Sequence, residues 1–341
     1  MNETILKNTV ARLMEEPKGI LAIDESLNTC NKRFEKLGIP TTEEKRREYR
    51  ELLVTTPGIE SYISGYILFD ETMRQKTSDG ESFISVLKDK GIEVGIKVDK
   101  GPVDFTGYPD EKITDGLEGL DERLKEYRKM GATFAKWRGI YTIGELTPSG
   151  ALMKKNAEIF AKYALFCQEN DIVPIVEPEI LMDGNHSIEK CYATTVQNLS
   201  MVFQALKEAE LYLPGVILKT SMVLPGKDLD LQVYDTEVAQ KTVAALKEKV
   251  PEILGGIVFL SGGQDDTAAT LRLNEMAKLQ PLPWRLTFSY GRAIQNNALK
   301  SWAEDPGDVT SAQNLLLKAA ENNSLASIGE YNEITHLRKA Q

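Results

Sequence analysis

Lysines, arginines and carboxylates sit inside or at the ends of short apolar segments of this sequence. Charge is costly to bury there unless it is paired or used. Asp24 follows GILAI. Lys97 and Asp99 stand two apart in VGIKVD, Lys136 and Arg138 two apart in FAKWRG, and Glu177 and Glu179 two apart in IVPIVEPE. On an extended strand that spacing puts each pair on one face, with Trp137 pointing the other way. Lys219 lies in VILKT, Ser261 ends GIVFLS, and Gly291-Arg292 follow RLTFSY. One such residue is explained by a buried salt bridge. The same pattern on seven segments points to a shared site.

Lysines beside carboxylates suit imine chemistry. An amine held among like charges in a partly apolar setting gives up its proton more readily than in water. The neutral amine condenses with a ketone to an iminium, an electron sink that lets an adjacent carbon–carbon bond break. A carboxylate of tuned pKa then moves the protons. The residues alone leave the imine-forming group open among Lys97, Lys136 and Lys219. Two other readings compete. An isomerase acting through Glu177 without covalent catalysis has no need of a lysine in an apolar strand. A non-catalytic scaffold has no need of a chemically complete set.

No metal site and no cofactor are expected. The chain has two histidines, His186 and His336, far apart, and its three cysteines, Cys30, Cys167 and Cys191, lack ligand spacing. His186, in DGNHS, reads as a solvated loop residue. Phosphate binding is the second legible feature. Ser261-Gly262-Gly263 stands just before a helix expected from about residue 265, where glycines let backbone N–H groups approach an anion. Gly291-Arg292 repeats the arrangement and adds a guanidinium fork. Lys32, Arg33 and Arg46 form a second cationic set after the first segment.

These groups need a frame that gathers strand ends. Short apolar segments cover residues 19–24, 62–70, 94–99, 134–139, 172–179, 216–220, 256–261 and 285–290. Helical periodicity fills 115–130, 149–168, 187–209, 236–249 and 265–279. Strands alternating with helices imply right-handed crossovers and a parallel sheet. Eight such units close as a (β/α)8 TIM barrel, an α/β fold whose active site lies at the carboxyl ends of the strands. The alternative, an open doubly wound sheet, is disfavoured because no GxGxxG follows the first strand. One domain over residues 1–341 is expected, with an N-terminal helix and a short tail from about residue 330.

Composition sets the setting. Net charge is −10 with a pI near 5.1, which argues against a nucleic-acid partner. No apolar run is long enough for a membrane helix. The charged N-terminal stretch lacks the apolar core of a signal peptide, and the scattered cysteines fit a reducing interior, so a cytoplasmic location is expected.

GILAIDES, GIKVDKG, FAKWR, IVPIVEPEIL, ILKTSMV, FLSGGQ and FSYGRA stand in this order in the chain. In these motifs, from about residue 13 to 329, it resembles the class I, Schiff-base-forming fructose-bisphosphate aldolases. The resemblance implies roles for individual residues. Lys219 matches the Schiff-base lysine, Glu177 the general acid/base and Asp24 the carboxylate assisting bond cleavage. Lys136 and Arg138 match residues that tune the site and orient substrate, Lys97 another active-site lysine, and Glu179 support behind Lys219. Ser261, Gly262, Gly263, Ser289, Gly291 and Arg292 match the 1-phosphate site. Ser26, Arg33 and Lys97, with Arg46 and Lys32, match groups near the 6-phosphate. The implied reaction is reversible cleavage of fructose 1,6-bisphosphate to dihydroxyacetone phosphate and glyceraldehyde 3-phosphate, in glycolysis or gluconeogenesis. The implied partner is a sugar phosphate, and the implied assembly a homotetramer. Two features differ from the family pattern. The chain ends in LRKAQ where animal members end in tyrosine, and the loop after the first strand reads Ser26-Leu27-Asn28-Thr29 where Ser-Thr-Gly-Ser is usual.

Overall fold

Alternation of apolar side chains along each strand closes the sheet in the computed structural model, which describes residues 1–230 and 233–332. In chain order the strands are β1 (Gly19–Ile23), β2 (Ile63–Leu68), β3 (Glu93–Lys97), β4 (Gly101–Asp104), β5 (Lys112–Asp115), β6 (Phe134–Tyr141), β7 (Val173–Ile180), β8 (Ile217–Thr220), β9 (Gly256–Phe259) and β10 (Leu286–Tyr290). Eight of them form a closed parallel barrel in the order β1-β10-β9-β8-β7-β6-β3-β2. This is the expected (β/α)8 architecture. The helices are α1 (Glu3–Leu13), α2 (Leu27–Glu35), α3 (Glu43–Thr55), α4 (Asp70–Arg74), α5 (Phe83–Asp89), α6 (Leu120–Met130), α7 (Gly150–Glu169), α8 (Ile188–Glu208), α9 (Asp235–Lys249), α10 (Asp266–Ala277), α11 (Arg292–Glu304) and α12 (Val309–Ala326). No helix among the described residues is long and apolar enough to cross a membrane.

The inward-facing residues divide the barrel into an apolar floor and a charged mouth. Ile20, Phe134, Val173, Ile175, Ile217 and Val258 form an inner cluster with Leu6, Val10, Leu13 and Met14 of the first helix and its end. Helix α1 therefore plugs the barrel from beneath. Leu6 and Leu13 are fully buried, and burial of such side chains is worth about 1.5–3 kcal/mol each. Outward residues such as Leu21, Ile96, Trp137, Val176 and Leu218 belong to the second, larger cluster under the helices. Continuing the inward parity toward the strand ends replaces Phe134 by Lys136, Ile175 by Glu177 and Ile217 by Lys219. The plug leaves no room for side chains at its contacts. A Cβ on Gly256 would lie 2.5 Å from Met14 Cε, and one on Gly65 would lie 2.6 Å from Leu13 Cδ2.

One expectation fails locally. Residues 115–119 are not helical: α6 starts at Leu120, and β4 and β5 pair as an antiparallel hairpin that lies over β6. Alternation and the turn residues Gly107, Pro109 and Asp110 carry the hairpin signal, which the helical periodicity further on overshadowed. The carboxylate of Glu111 fastens the hairpin by accepting from Ser149 N and Oγ, each at 2.5 Å. Ser149 in turn caps α7. Thr114 Oγ1 donates to the Arg138 carbonyl at 2.7 Å. The expected tail falls mostly in residues 333–341, and so does His336; both lie outside the described residues.

Candidate active site

A cavity of about 650 Å³ opens at the carboxyl ends of the strands, and its wall includes Asp24, Lys97, Lys136, Arg138, Glu177 and Lys219. Register explains the gathering. Lys97 pairs with Lys136 across β3 and β6, Arg138 with Glu177 across β6 and β7, and Lys219 with Val258 across β8 and β9. Glu177 is 3% exposed and lies between two ammonium groups. Its Oε1 is 3.1 Å from Lys219 Nζ and its Oε2 is 3.2 Å from Lys136 Nζ. Lys136 Nζ also lies 2.7 Å from Asp24 Oδ2.

Electrostatics sorts these groups. Burial alone would raise the pKa of Asp24, but the ammonium groups of Lys136, Lys219 and Lys97 outweigh it and hold the carboxyl at about 2. Burial would likewise raise Glu177. The charges of Lys136, Lys219 and Arg138 outweigh that effect and keep it below the usual carboxylate range. For Lys136 burial works in the lowering direction, and Asp24, Glu177 and Asp99 reverse it, so its ammonium form is strongly favoured. Glu177 Oε2 faces Lys136 without an aligned hydrogen bond, which leaves it a lone pair for an incoming proton.

Lys97 is held by Asp99 at the cavity wall. Its ammonium donates to Asp99 Oδ1 at 2.6 Å and to the Asp99 carbonyl at 2.8 Å. The Asp99 carboxylate also accepts from Gly101 N and Arg138 N, and so joins β3, the hairpin and β6. Glu179, expected to support Lys219, forms its ion pair with another cation. It pairs with Arg138, because its register partner on β6 is Ile140, two residues beyond that arginine.

The anion cradle has two sides. Gly262 and Gly263 adopt left-handed φ of 57° and 88°, which turns the chain after β9. Helix α10 does not offer its first amides there as expected, since its cap Asp265 already accepts from Thr267 N and Ala268 N. The open helix end is that of α11, whose N-cap Gly291 has no side chain to cap it. Ser261, Gly262, Gly291 and Arg292 line the cavity together with Ser289, whose buried Oγ has no partner. Gly263 stands just outside the wall; a Cβ there would lie 3.8 Å from Arg292 Nη2.

The rim after β1, beside β10 in the barrel, carries Ser26, Thr29, Lys32 and Arg33, and the wall also includes Lys36 and Lys100. Arg33 pairs with Glu25, which also pairs with buried Arg50. Arg46 is not brought to the cavity. It makes two 2.7 Å bonds to Glu71 and turns to Asn31 and the Thr41 carbonyl. Glu25, Lys36, Lys100 and Thr114 are wall residues that sequence reasoning passed over. Glu25 directly follows Asp24 and could have been found as the counterion of Arg33. His186 is not solvated: it is 8% exposed, and burial lowers its pKa below the ordinary 6.5.

The family model described as fructose-bisphosphate aldolase class-I matches residues 5–341. This chain belongs to the class-I fructose-bisphosphate aldolases. It is 52% identical over 327 residues to a probable class 1 aldolase of Xanthomonas campestris pv. campestris, covering 96% of this chain and 98% of that one. It is 49% identical to a cytosolic aldolase of Arabidopsis thaliana, covering 92% of this chain and 88% of that one. The solved fructose-bisphosphate aldolase of Plasmodium falciparum superposes with a TM-score of 0.95 at 45% identity, covering 96% and 95% of the two chains. The aldolase is thus a lyase on a TIM barrel, of a family that works through a lysine Schiff base in glycolysis.

Proposed function

We propose that Lys219 is the amine that captures the substrate ketone and that Glu177 moves its protons. The observation that carries this reading is the position of Glu177, within 3.2 Å of both Lys219 and Lys136. Lys219 Nζ adds to the C2 carbonyl of fructose 1,6-bisphosphate. Glu177 takes the proton that Lys219 sheds and returns it to the carbinolamine oxygen, and water leaves as the iminium forms. Asp24, as the carboxylate, takes the proton of the C4 hydroxyl. The C3–C4 bond breaks, its electron pair enters the iminium as an enamine, and glyceraldehyde 3-phosphate departs. Protonation of C3 and attack of water on the iminium release dihydroxyacetone phosphate and restore the amine.

Lys136 stays charged throughout and stabilises both carboxylates; Arg138, set by Glu179, orients the sugar. Ser261, Gly262, Ser289, Gly291 and Arg292 hold the phosphate on C1, with Gly263 setting the turn. Ser26, Thr29, Lys32, Arg33 and Lys97 face the phosphate on C6, and Arg46 supports that rim through Glu71. The protein works as a cytoplasmic homotetramer on this reading, which light scattering would test. Borohydride added in the presence of dihydroxyacetone phosphate tests the chemistry. One reduced adduct on Lys219 is expected, with activity untouched by EDTA. No adduct, or one on Lys97 or Lys136, overturns the assignment.

A further inference from the structure

Gln295 is fully buried, yet every polar atom of its side chain is engaged. Its Oε1 accepts from Arg33 Nη1 at 2.9 Å and from Tyr49 Oη at 2.8 Å, and its Nε2 donates to the Ala22 carbonyl at 2.5 Å. Two of these three partners line the cavity. Ala22 is on β1, two residues before Asp24, and lines the wall, as does Arg33. Gln295 itself stands one turn into α11, on the side of Arg292. The next residue, Asn296, accepts from Arg33 Nη2 at 3.4 Å and donates to the Asp266 carboxylate at 3.2 Å, at the start of α10.

We infer that Gln295 is a positioning residue that fixes Arg33 toward the phosphate distal to Lys219 by tying it to the helix whose N-terminus meets the other phosphate. This rests on the assignment of Arg33 to the C6 phosphate given above. A flexible arginine beside Glu25 and Arg50 has several rotamers within reach of a carboxylate. The amide of Gln295 supplies a neutral acceptor that selects one without quenching the charge a phosphate needs. Loss of that acceptor leaves the guanidinium to swing onto Glu25 alone, so a substrate with a C6 phosphate loses more than one without it. Asn296 adds a second, weaker acceptor on the same arginine.

The test compares fructose 1,6-bisphosphate with fructose 1-phosphate. For Gln295→Met the ratio of their kcat/KM values falls about tenfold, by loss of a hydrogen bond to a charged group. The change lies in KM for the bisphosphate, while kcat on the monophosphate stays within about twofold. Asn296→Ala, a half-exposed helix position, lowers the same ratio about threefold and keeps the fold intact even if Gln295→Met does not fold. An equal loss on both substrates, or an unchanged ratio in Asn296→Ala with a folded Gln295→Met also unchanged, overturns the inference. If Gln295→Met does not fold, an unchanged ratio in Asn296→Ala overturns it alone. Arg33→Met separates the two levels of the argument. If it leaves the ratio unchanged, the C6 assignment fails and the inference with it. If it lowers the ratio while the other variants do not, only the inference fails.

Discussion

Lys219 Nζ lies 3.1 Å from Glu177 Oε1, on the cavity side of a barrel whose floor holds an apolar cluster. The second oxygen of the same carboxylate meets Lys136. One carboxylate thus serves an amine that must react and an ammonium that must not, and the two lysines differ in their other company: only Lys136 is also within ion-pair distance of Asp24.

Glu177→Gln keeps the shape and removes the proton carrier. We expect kcat to fall about 10²- to 10⁴-fold, the usual reach of positioned acid–base catalysis. Slow borohydride trapping on Lys219 should persist, since the amine remains. Mass mapping of the trapped protein checks this, and a loss of trapping in a folded variant would show that Glu177 holds the amine in place rather than moving protons.

Asp24 makes stability depend on acid. Its pKa is about 2 in the folded protein against an ordinary 3.8. A depressed carboxyl stabilises the fold above its unfolded value, and that contribution disappears as pH drops from about 4 toward 2. Urea unfolding of Asp24→Asn against pH should therefore lose part of this slope. Identical slopes for the two proteins would contradict the prediction.

His186 acts at milder pH. Burial lowers its imidazole pKa below 6.5, so the unfolded chain takes up a proton there before the folded one does. Stability then rises with pH up to about 6.5 and declines on acidification below it. His186→Gln should flatten the decline that sets in below about pH 6.5 in thermal scans.

Glu111→Ala cuts both bonds from Ser149. We expect a loss of about 1–3 kcal/mol in unfolding free energy, because Ser149 N is left without its acceptor. The hairpin carries Thr114 over Arg138, so KM should rise together with this loss. A stability change with KM unmoved would mean that the hairpin does not shape the site.

The barrel and most of its mouth were legible because two periodicities coincide. Alternation along 134–138 and 173–179 places Lys136, Arg138, Glu177 and Glu179 on the inner face whatever their partners are. Partners were harder to read, since they depend on register across strands. Glu179 falls opposite Ile140 and so meets Arg138, and Arg46 meets Glu71 from a helix whose rotation no motif records. His186 was misjudged because its loop is short and polar, yet two backbone bonds, from Gly226 N to the His186 carbonyl and from Asp228 N to that of Gly184, close it against the loop after β8. The hairpin was missed because a stronger helical pattern follows it directly.

The stopper beneath the barrel sets an order of events during synthesis. Leu6 packs by Gly215 and Met14 by Gly256, more than two hundred residues further along the chain. Residues 3–14, made before β8 and β9, therefore have their seat built only after those strands have emerged. Until then the segment lacks the apolar surface that holds it, and a stretch of 11 residues is too short to be a stable helix alone. Pulse-labelled hydrogen exchange should find residues 3–13 among the last amides to gain protection.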